Sequence, residues 1–341
     1  MDAFRVSVVV ANYNHAHYLP QCLDAIFAQE RAADEVIVID DGSTDNSIEV
    51  IERYAHAHPE LRIVRHMPNQ GVIAVMNRGL TEARTEYVLF AAADDWMLPG
   101  LLKRSMELLE RNPQAGLCSS LSLQLTDDRA QPKPLPTAIV LDRPGYIAPG
   151  EALTLLLKED SWFLGNTIVI RRDAVIAAGG YRPELTSFCD GFVYQQVALK
   201  LGACFIPEPL AVWRVLGAGY SASSVINVER VAQIRHNVSR LMAAEFSELF
   251  PCDYVKRWQR RWSYIALNGA LRGGDYDTAV LARLWPDASA IDRAVLGALA
   301  RAGGFGRRAG VLYLFSRLRL ADLPTLVNRR LYWRSRAQSA S

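Results

Sequence analysis

"EVIVIDDGSTDNSIEVIERYAHA", residues 35–57, decides the fold. Val36 to Ile39 form a run of β-branched side chains that reads as a strand. The run ends in Asp40 and Asp41, and Gly42 and Ser43 make a turn. Ile48, Ile51 and Tyr54 then recur at helical spacing over 47–58. The same passage from strand through polar loop to helix occurs on either side. "VSVVVA" (6–11) runs into Asn12-Tyr13-Asn14, after which Leu19, Leu23, Ile26 and Phe27 mark a helix. "LRIVRH" (61–66) precedes a helical pattern over 72–84. "EYVLFAA" (86–92) runs into Asp94-Asp95 and a helix over 100–111. Strands alternating with helices of about a dozen residues predict βαβ units and a largely parallel sheet. Ligands of such sheets bind beyond the carboxyl ends of the strands. The clusters at 12–14, 40–43 and 94–95 therefore share one edge, and function is expected there.

The rhythm changes after residue 125. Residues 126–150 are rich in proline and read as an excursion. "NTIVIRR" (166–172) is a strand, 190–202 a helix, and "CFIPEPLAVWRV" (204–215) a strand broken by prolines. From about 225 the pattern is helical to the end. The expected division is a domain over 1–220 and a helical region over 221–341, with a basic tail at 301–341.

Composition is that of a globular protein, with 50% hydrophobic and 22% charged residues. A net charge of +2 gives no reason to expect a nucleic-acid partner. The charge is unevenly spread. Residues 301–341 hold nine arginines against Asp322, a local +8 that leaves −6 for the first 300 residues. Such a tail suits an anionic surface. "KRWQRRW" (256–262) and "VLYLFSRLRL" (311–320) mix arginine with apolar residues, as segments lying on anionic bilayers do. Five cysteines without a C-x-x-C pair read as reduced thiols. There is no charged-then-apolar leader and no apolar run near the ~18–20 residues of a membrane span. The expected location is the cytoplasm, peripheral on the inner face of the membrane.

The acids carry the chemistry. Asp40 and Asp41 stand side by side although like charges repel; capping and turn formation account for part of this cluster, and an aspartate can also accept from a base N–H or a ribose hydroxyl. No G-x-G-x-x-G follows the first strand, and no G-x-x-x-x-G-K-[ST] is present. Asp94 and Asp95 point apart if the extended geometry persists. One can then face a divalent cation that diphosphate oxygens also bind, while the other meets a sugar hydroxyl or orients the loop. His15 with His17, and His56 with His58, are two apart and do not share a helix face, which argues against a metal site. Trp162 offers a ring for stacking on an acceptor sugar, although such a residue is more often core.

"VSVVVANYNHAHYLPQCLDAIFAQ", "EVIVIDDGSTDNS", "NQGVIAVMNRGL" and "EYVLFAAADDWMLPG" together resemble the family 2 glycosyltransferases of GT-A fold. The likeness continues through "GNTIVIRRDAVIAAGGYRPEL" and "CDGFVYQQVALKLGACFIPEPLAVWRV", covering roughly residues 5–215. It implies a Rossmann-like, mixed but mainly parallel sheet flanked by helices, with a C-terminal helical extension. It also implies an inverting transfer from a nucleoside-diphosphate sugar, typically a UDP-sugar, to a saccharide or lipid-linked saccharide, assisted by Mg²⁺ or Mn²⁺. The backbone of Ala11 and the carboxylate of Asp41 are expected at the base, with Asn12, Tyr13 and Asp40 in the same donor site. Asn77 is expected near the diphosphate, Asp94 and Asp95 at metal and ribose, and Asp190 as catalytic base. The chain departs from the pattern in three places. Ala92 stands where many relatives begin Asp-x-Asp-Asp, Cys189 stands where a Glu often precedes the base, and no histidine follows "VWRV", where Gly217 comes after Leu216. These departures keep open an inactive nucleotide-sugar-binding protein of the same fold.

Overall fold

The computed structural model describes residues 4–135, 137–159, 161–216, 228–273 and 276–318. Gly217 and the tail beyond 318 lie outside them. The chain divides into two compact units. One comprises Met1–Leu155, Ser161–Pro183 and Cys189–Val215, and the other Leu156–Asp160, Glu184–Phe188 and Leu216–Ser341.

The first unit opens with four β-α repeats. These are β1 (Val6–Asn12), α1 (Leu19–Phe27), β2 (Glu35–Asp40), α2 (Ser47–Ala57), β3 (Leu61–Arg65), α3 (Val72–Glu82), β4 (Tyr87–Ala92) and, after the short β5 (Trp96–Met97), α4 (Leu101–Arg111). Strands β3, β2, β1 and β4 lie side by side and parallel. The register pairs Val8 with Val36 and Val10 with Val38, and sets Ala11 opposite both Ile39 and Ala92. Alternate residues face opposite sides of a strand. Val6, Val8 and Val10 join Leu19, Leu23, Ile26, Leu102 and Met106 in one buried cluster. On the other side of β1 and β4, Gly79 of α3 packs so closely that a Cβ would lie 2.6 Å from Val9 Cγ1 and 2.9 Å from Phe90. Both faces are covered, which is why these strands read as continuous apolar runs.

The rest of the sheet is mixed. It is built from β6 (Leu117–Leu125), β7 (Lys133–Pro134), β8 (Gly145–Ile147), β9 (Val169–Arg171) and β10 (Ala203–Arg214), with helices α5 (Pro149–Glu159), α6 (Arg172–Ala177) and α7 (Cys189–Leu201) between them. The order along the sheet is β3-β2-β1-β4-β9-β6-β10-β5. β9 runs antiparallel to β4 and β6, while β6 and β10 are parallel. The mainly parallel α/β sheet flanked by helices is as expected. The prolines of 204–215 do not break the strand. β10 is continuous and absorbs Pro207 and Pro209 in a bulge, where the pairing with β6 slips between Ile206 and Ala211.

Among its described residues the second unit is helical, with α8 (Val228–Ala243), α9 (Cys252–Gly273), α10 (Thr278–Leu284), α11 (Ala290–Arg301) and α12 (Gly303–Leu318). Trp258 and Trp262 of α9 are buried and pack against Phe188 in tilted and edge-on contacts, all three ring centroids within 5.3 Å of one another. The "KRWQRRW" segment therefore keeps its tryptophans as core and does not offer them to a membrane. Ser289 and Asp292 form a capping box at the start of α11. The Asp292 carboxylate also accepts from Tyr313 Oη at 2.7 Å and from Arg317 Nε at 2.7 Å, fastening α12 to α11. The Arg317 guanidinium, with help from Ser289 and Tyr313, holds the Asp292 carboxyl well below the usual carboxylate range.

Candidate active site

The parallel register brings three loops to one edge. Asn12 is level with Asp40, and Ala11 with Ala92. Backbone bonding continues past the strand ends. Asp41 N donates to Asn12 O at 2.8 Å, and Ala93 N donates to Ala11 O at 3.0 Å. The Ala11 carbonyl thus has one bond within the sheet already.

Asp40 and Asn12 build the loops. Asp40 is 1% exposed, and its Oδ2 accepts from Asn12 Nδ2 at 2.8 Å and from Ser43 Oγ at 2.5 Å, while Oδ1 accepts from Ser43 N at 3.0 Å. Asn14, in the left-handed region at φ 55°, accepts from Thr44 N at 2.7 Å and so laces the first loop to the second. Asn12 and Asp40 thus work within the loops, while Asn12 Oδ1 has no partner among the described residues and Asp40 Oδ1 accepts a single bond. Tyr13 differs. Its ring is exposed at the edge and free to stack.

Asp41 is buried and clasps the segment between β3 and α3. Oδ1 accepts from Gln70 N at 3.0 Å and faces His66 Nδ1 at 2.8 Å; Oδ2 accepts from Gly71 N at 2.8 Å. An ionised carboxylate has about four acceptor positions. The three contacts leave one on Oδ2.

Asp94 and Asp95 have separate surroundings. Asp94 makes no hydrogen bond among the described residues; the His15 Nδ1 lies 3.9 Å from its Oδ1, and its side chain is 16% exposed. Asp95 is buried beneath, with Oδ1 accepting from Arg214 N at 2.8 Å. Burial, and then the neighbouring charge of Asp94, push the Asp95 carboxyl well above the usual carboxylate range. No group of three or more His, Cys, Asp or Glu side chains suited to a metal occurs among the described residues. The donor set that remains is one uncommitted carboxylate, Asp94. That fits a divalent ion only if substrate oxygens complete its coordination.

The arginine of "VWRV", Arg214, has no role legible in the sequence. Arg214 ends β10 with its side chain buried. The guanidinium lies 4.2 Å from the Tyr18 ring centroid and 5.2 Å from that of Trp96, donates to Gln21 Oε1 at 2.6 Å, and pairs with Asp128 at 3.2 Å. A charge at the end of a buried strand was the available signal.

Asp190 reaches the same edge from another direction. Antiparallel pairing of Leu89 with Val169 carries the 3₁₀ turn Gly165–Thr167 alongside the end of β4, where Asn166 shares a small crevice with Ala91, Asp95 and Trp96. A Cβ on Gly165 would lie 3.2 Å from Asp190 Oδ2. Asp190 sits in the first turn of α7, and its Oδ1 accepts from Gly191 N at 2.6 Å. Burial raises its pKa, against the opposing pull of those backbone bonds. Burial raises the pKa values of Tyr181 and Tyr194, and the nearby Asp190 charge raises them further.

Two expected residues have other duties. Asn77 holds the Tyr181 backbone with both ends of its amide, donating from Nδ2 to Tyr181 O at 2.7 Å and accepting from Tyr181 N at 2.9 Å. It positions the loop beside Asp190. Trp162 is 0% exposed and packs on Phe163 with ring centroids 4.5 Å apart, so its ring has no face open to an acceptor.

Comparison with known proteins follows the same lines. The family model of glycosyl transferase family 2 matches residues 7–175. An uncharacterised glycosyltransferase of Nostoc sp. is 34% identical over 119 residues, 35% of this chain and 37% of that protein. The chain aligns with little more than a third of the length of these curated relatives that it matches. Among solved structures, S. aureus TarS in complex with UDP-GlcNAc superposes with a TM-score of 0.54 at 14% identity, covering 92% of each chain. The Pyrobaculum calidifontis mannosyltransferase PcManGT, in complex with GDP-Man and Mn²⁺, gives a TM-score of 0.54 at 21% identity, covering 92% of this chain and 85% of that one. These two share the fold. Ordered strands, acid-bearing loops and family match agree, and the chain, through residues 7–175, belongs to glycosyl transferase family 2 with a GT-A fold.

Proposed function

We propose that the protein is an inverting glycosyltransferase that uses a nucleoside-diphosphate sugar, a UDP-sugar, as donor and a hydroxyl of a saccharide or lipid-linked saccharide as acceptor. The observation that carries the reading is the pairing of an uncommitted carboxylate, Asp94, with a desolvated one, Asp190, at one edge of the sheet. The single acceptor position left on Asp41 Oδ2 suits one N–H, as uracil presents at N3, and the exposed Tyr13 ring suits stacking on that base. Asp94, with diphosphate oxygens, would hold Mg²⁺ or Mn²⁺. The ion would neutralise charge that grows on the leaving diphosphate. GDP-Man with Mn²⁺ in PcManGT and UDP-GlcNAc in TarS are donors of this chemical class.

In the reaction, the acceptor oxygen attacks the anomeric carbon from the side opposite the diphosphate. The carbon–oxygen bond to the diphosphate breaks, and the anomeric configuration inverts. Asp190 takes the proton of the attacking hydroxyl. A raised pKa makes it a stronger proton acceptor than an ordinary carboxylate, provided it is ionised at the working pH. Asp95, fixed by Arg214 N, shapes the floor beneath Asp94. Ala92, in place of a carboxylate near Asp94, favours as second reading a protein of this fold that binds nucleotide sugars without turnover.

The test is a panel of nucleotide sugars with and without Mn²⁺, read by thermal shift and by release of nucleoside diphosphate. Stabilisation by UDP-sugars together with UDP release supports the enzyme. Stabilisation without release supports the second reading, and no stabilisation by any member refutes both.

A further inference from the structure

The second unit carries a surface that the transfer reaction does not use. Helix α12 turns Gly306, Gly310, Leu314 and Leu318 inward, and the glycines allow close approach to Leu299 of α11 and Leu271 of α9. Its opposite face is open. Phe305 is 87% exposed and Leu312 72% exposed, seven residues apart and so on one side of the helix, about 10 Å from each other along its axis. Arg308 lies between them on the same side, also exposed, and exposed Arg301 ends the preceding helix. Arg307 and Arg308 make no ion pair among the described residues. Over 290–318 the sequence has five arginines and a single acid, Asp292, which is buried and committed to Arg317 and Tyr313. Exposed apolar side chains grouped on one face and rimmed by polar residues mark interaction sites on globular proteins.

We infer that this face of α12 is a docking surface for an anionic lipid bilayer. Phe305 and Leu312 enter the boundary between headgroups and acyl chains, and Arg301 and Arg308 meet the lipid phosphates. An interfacial helix combines apolar and cationic side chains in this way. The arginine-rich sequence from 319 onward adds charge of the same sign. A second copy of this chain would bring the same positive charge to the same positive face, so charge favours the bilayer as occupant. The inference is independent of the donor chemistry.

The test uses the full chain in co-sedimentation with vesicles of phosphatidylcholine alone or mixed with phosphatidylglycerol. Binding is expected to the mixed vesicles only, falling as salt is raised from about 0.1 to about 0.5 M. The double variant F305S/L312S is expected to bind about tenfold more weakly, as is R301Q/R308Q. These side chains are exposed, so the variants keep the wild-type melting temperature and the wild-type turnover of donor. Equal binding to neutral vesicles, unchanged binding of the variants, or no binding overturns the inference. So does a concentration-dependent dimer that F305S/L312S dissolves, since it would assign the face to a second copy.

Discussion

Gly165→Ala tests the proposed role of Asp190 without touching its carboxyl group. The added methyl would stand 3.2 Å from Asp190 Oδ2, with the Tyr194 hydroxyl 3.9 Å away. Ordinary contact begins a few tenths of an ångström further out, so the carboxylate must shift by about 0.3 Å or the turn must yield. Misplacement of a reacting group by about 1 Å costs about 10²-fold in rate. A third of that on a logarithmic scale gives a loss of about three- to tenfold in kcat. The methyl also removes water from a carboxyl whose pKa burial has already raised. A base works only when deprotonated, so activity falls as pH drops through its pKa. That acid limb is expected above the ordinary aspartate value of about 3.9 in the wild type, and higher again in the variant. Initial rates of nucleoside-diphosphate release, measured from pH 4 to 9 at saturating donor, give both quantities. Donor affinity serves as the control and stays within twofold. Asp190→Asn completes the series, with donor binding kept and turnover lowered by about 10²–10⁴-fold. If Gly165→Ala leaves rate and acid limb in place while Asp190→Asn retains full turnover, Asp190 is not the base.

Three further outcomes are expected. Asp94→Asn weakens UDP-sugar binding by about tenfold or more in the presence of Mn²⁺ and little in its absence, measured by calorimetry; equal loss in both conditions removes the metal from Asp94. Gly79→Ala forces a methyl against Val9 and Phe90 and lowers stability by about 1–3 kcal/mol in urea unfolding, whereas an unchanged midpoint would mean that α3 can back away from the sheet. Asp292→Asn costs about 2 kcal/mol at neutral pH through its weakened hydrogen bonds. Because the folded carboxyl is depressed, its contribution is fully present above the unfolded pKa of about 3.9 and fades as pH falls through the lower folded value. Denaturation curves for wild type and variant should therefore separate at pH 7 and converge toward pH 2.

The parallel half of the sheet and its acid-bearing edge could be read from the chain because each strand is short, apolar and followed at once by its loop. The duties of individual acids could not. Asp40 and Asp41 are adjacent and chemically identical. One is tied to Ser43 three residues on, the other to His66 and Gly71, 25 and 30 residues away. Three contacts leave each carboxylate one acceptor position, on Oδ1 of Asp40 and on Oδ2 of Asp41, and only the folded register decides what surrounds it. Asn77 has the same history, since its partner Tyr181 lies 104 residues downstream. Trp162 was placed by residue type, and type does not distinguish a ring in a cleft from a ring in the core. Arg214 lacked any local cue to Asp95, 119 residues earlier. The prolines of β10 suggested an interruption because local rules weigh the lost N–H without seeing that a bulge can absorb it.

Helix α3 joins two of these observations. Its amino end begins at Gly71, gripped by Asp41. Six residues on, about 9 Å along the axis, Asn77 grips Tyr181, whose phenol senses the charge of Asp190. The pocket proposed for the nucleobase and the Tyr181 loop beside the proposed proton acceptor are thus tied to two points of one helix. A substitution that loosens the grip at Asp41 should therefore be felt at the Tyr181 loop as well as in the choice of nucleotide.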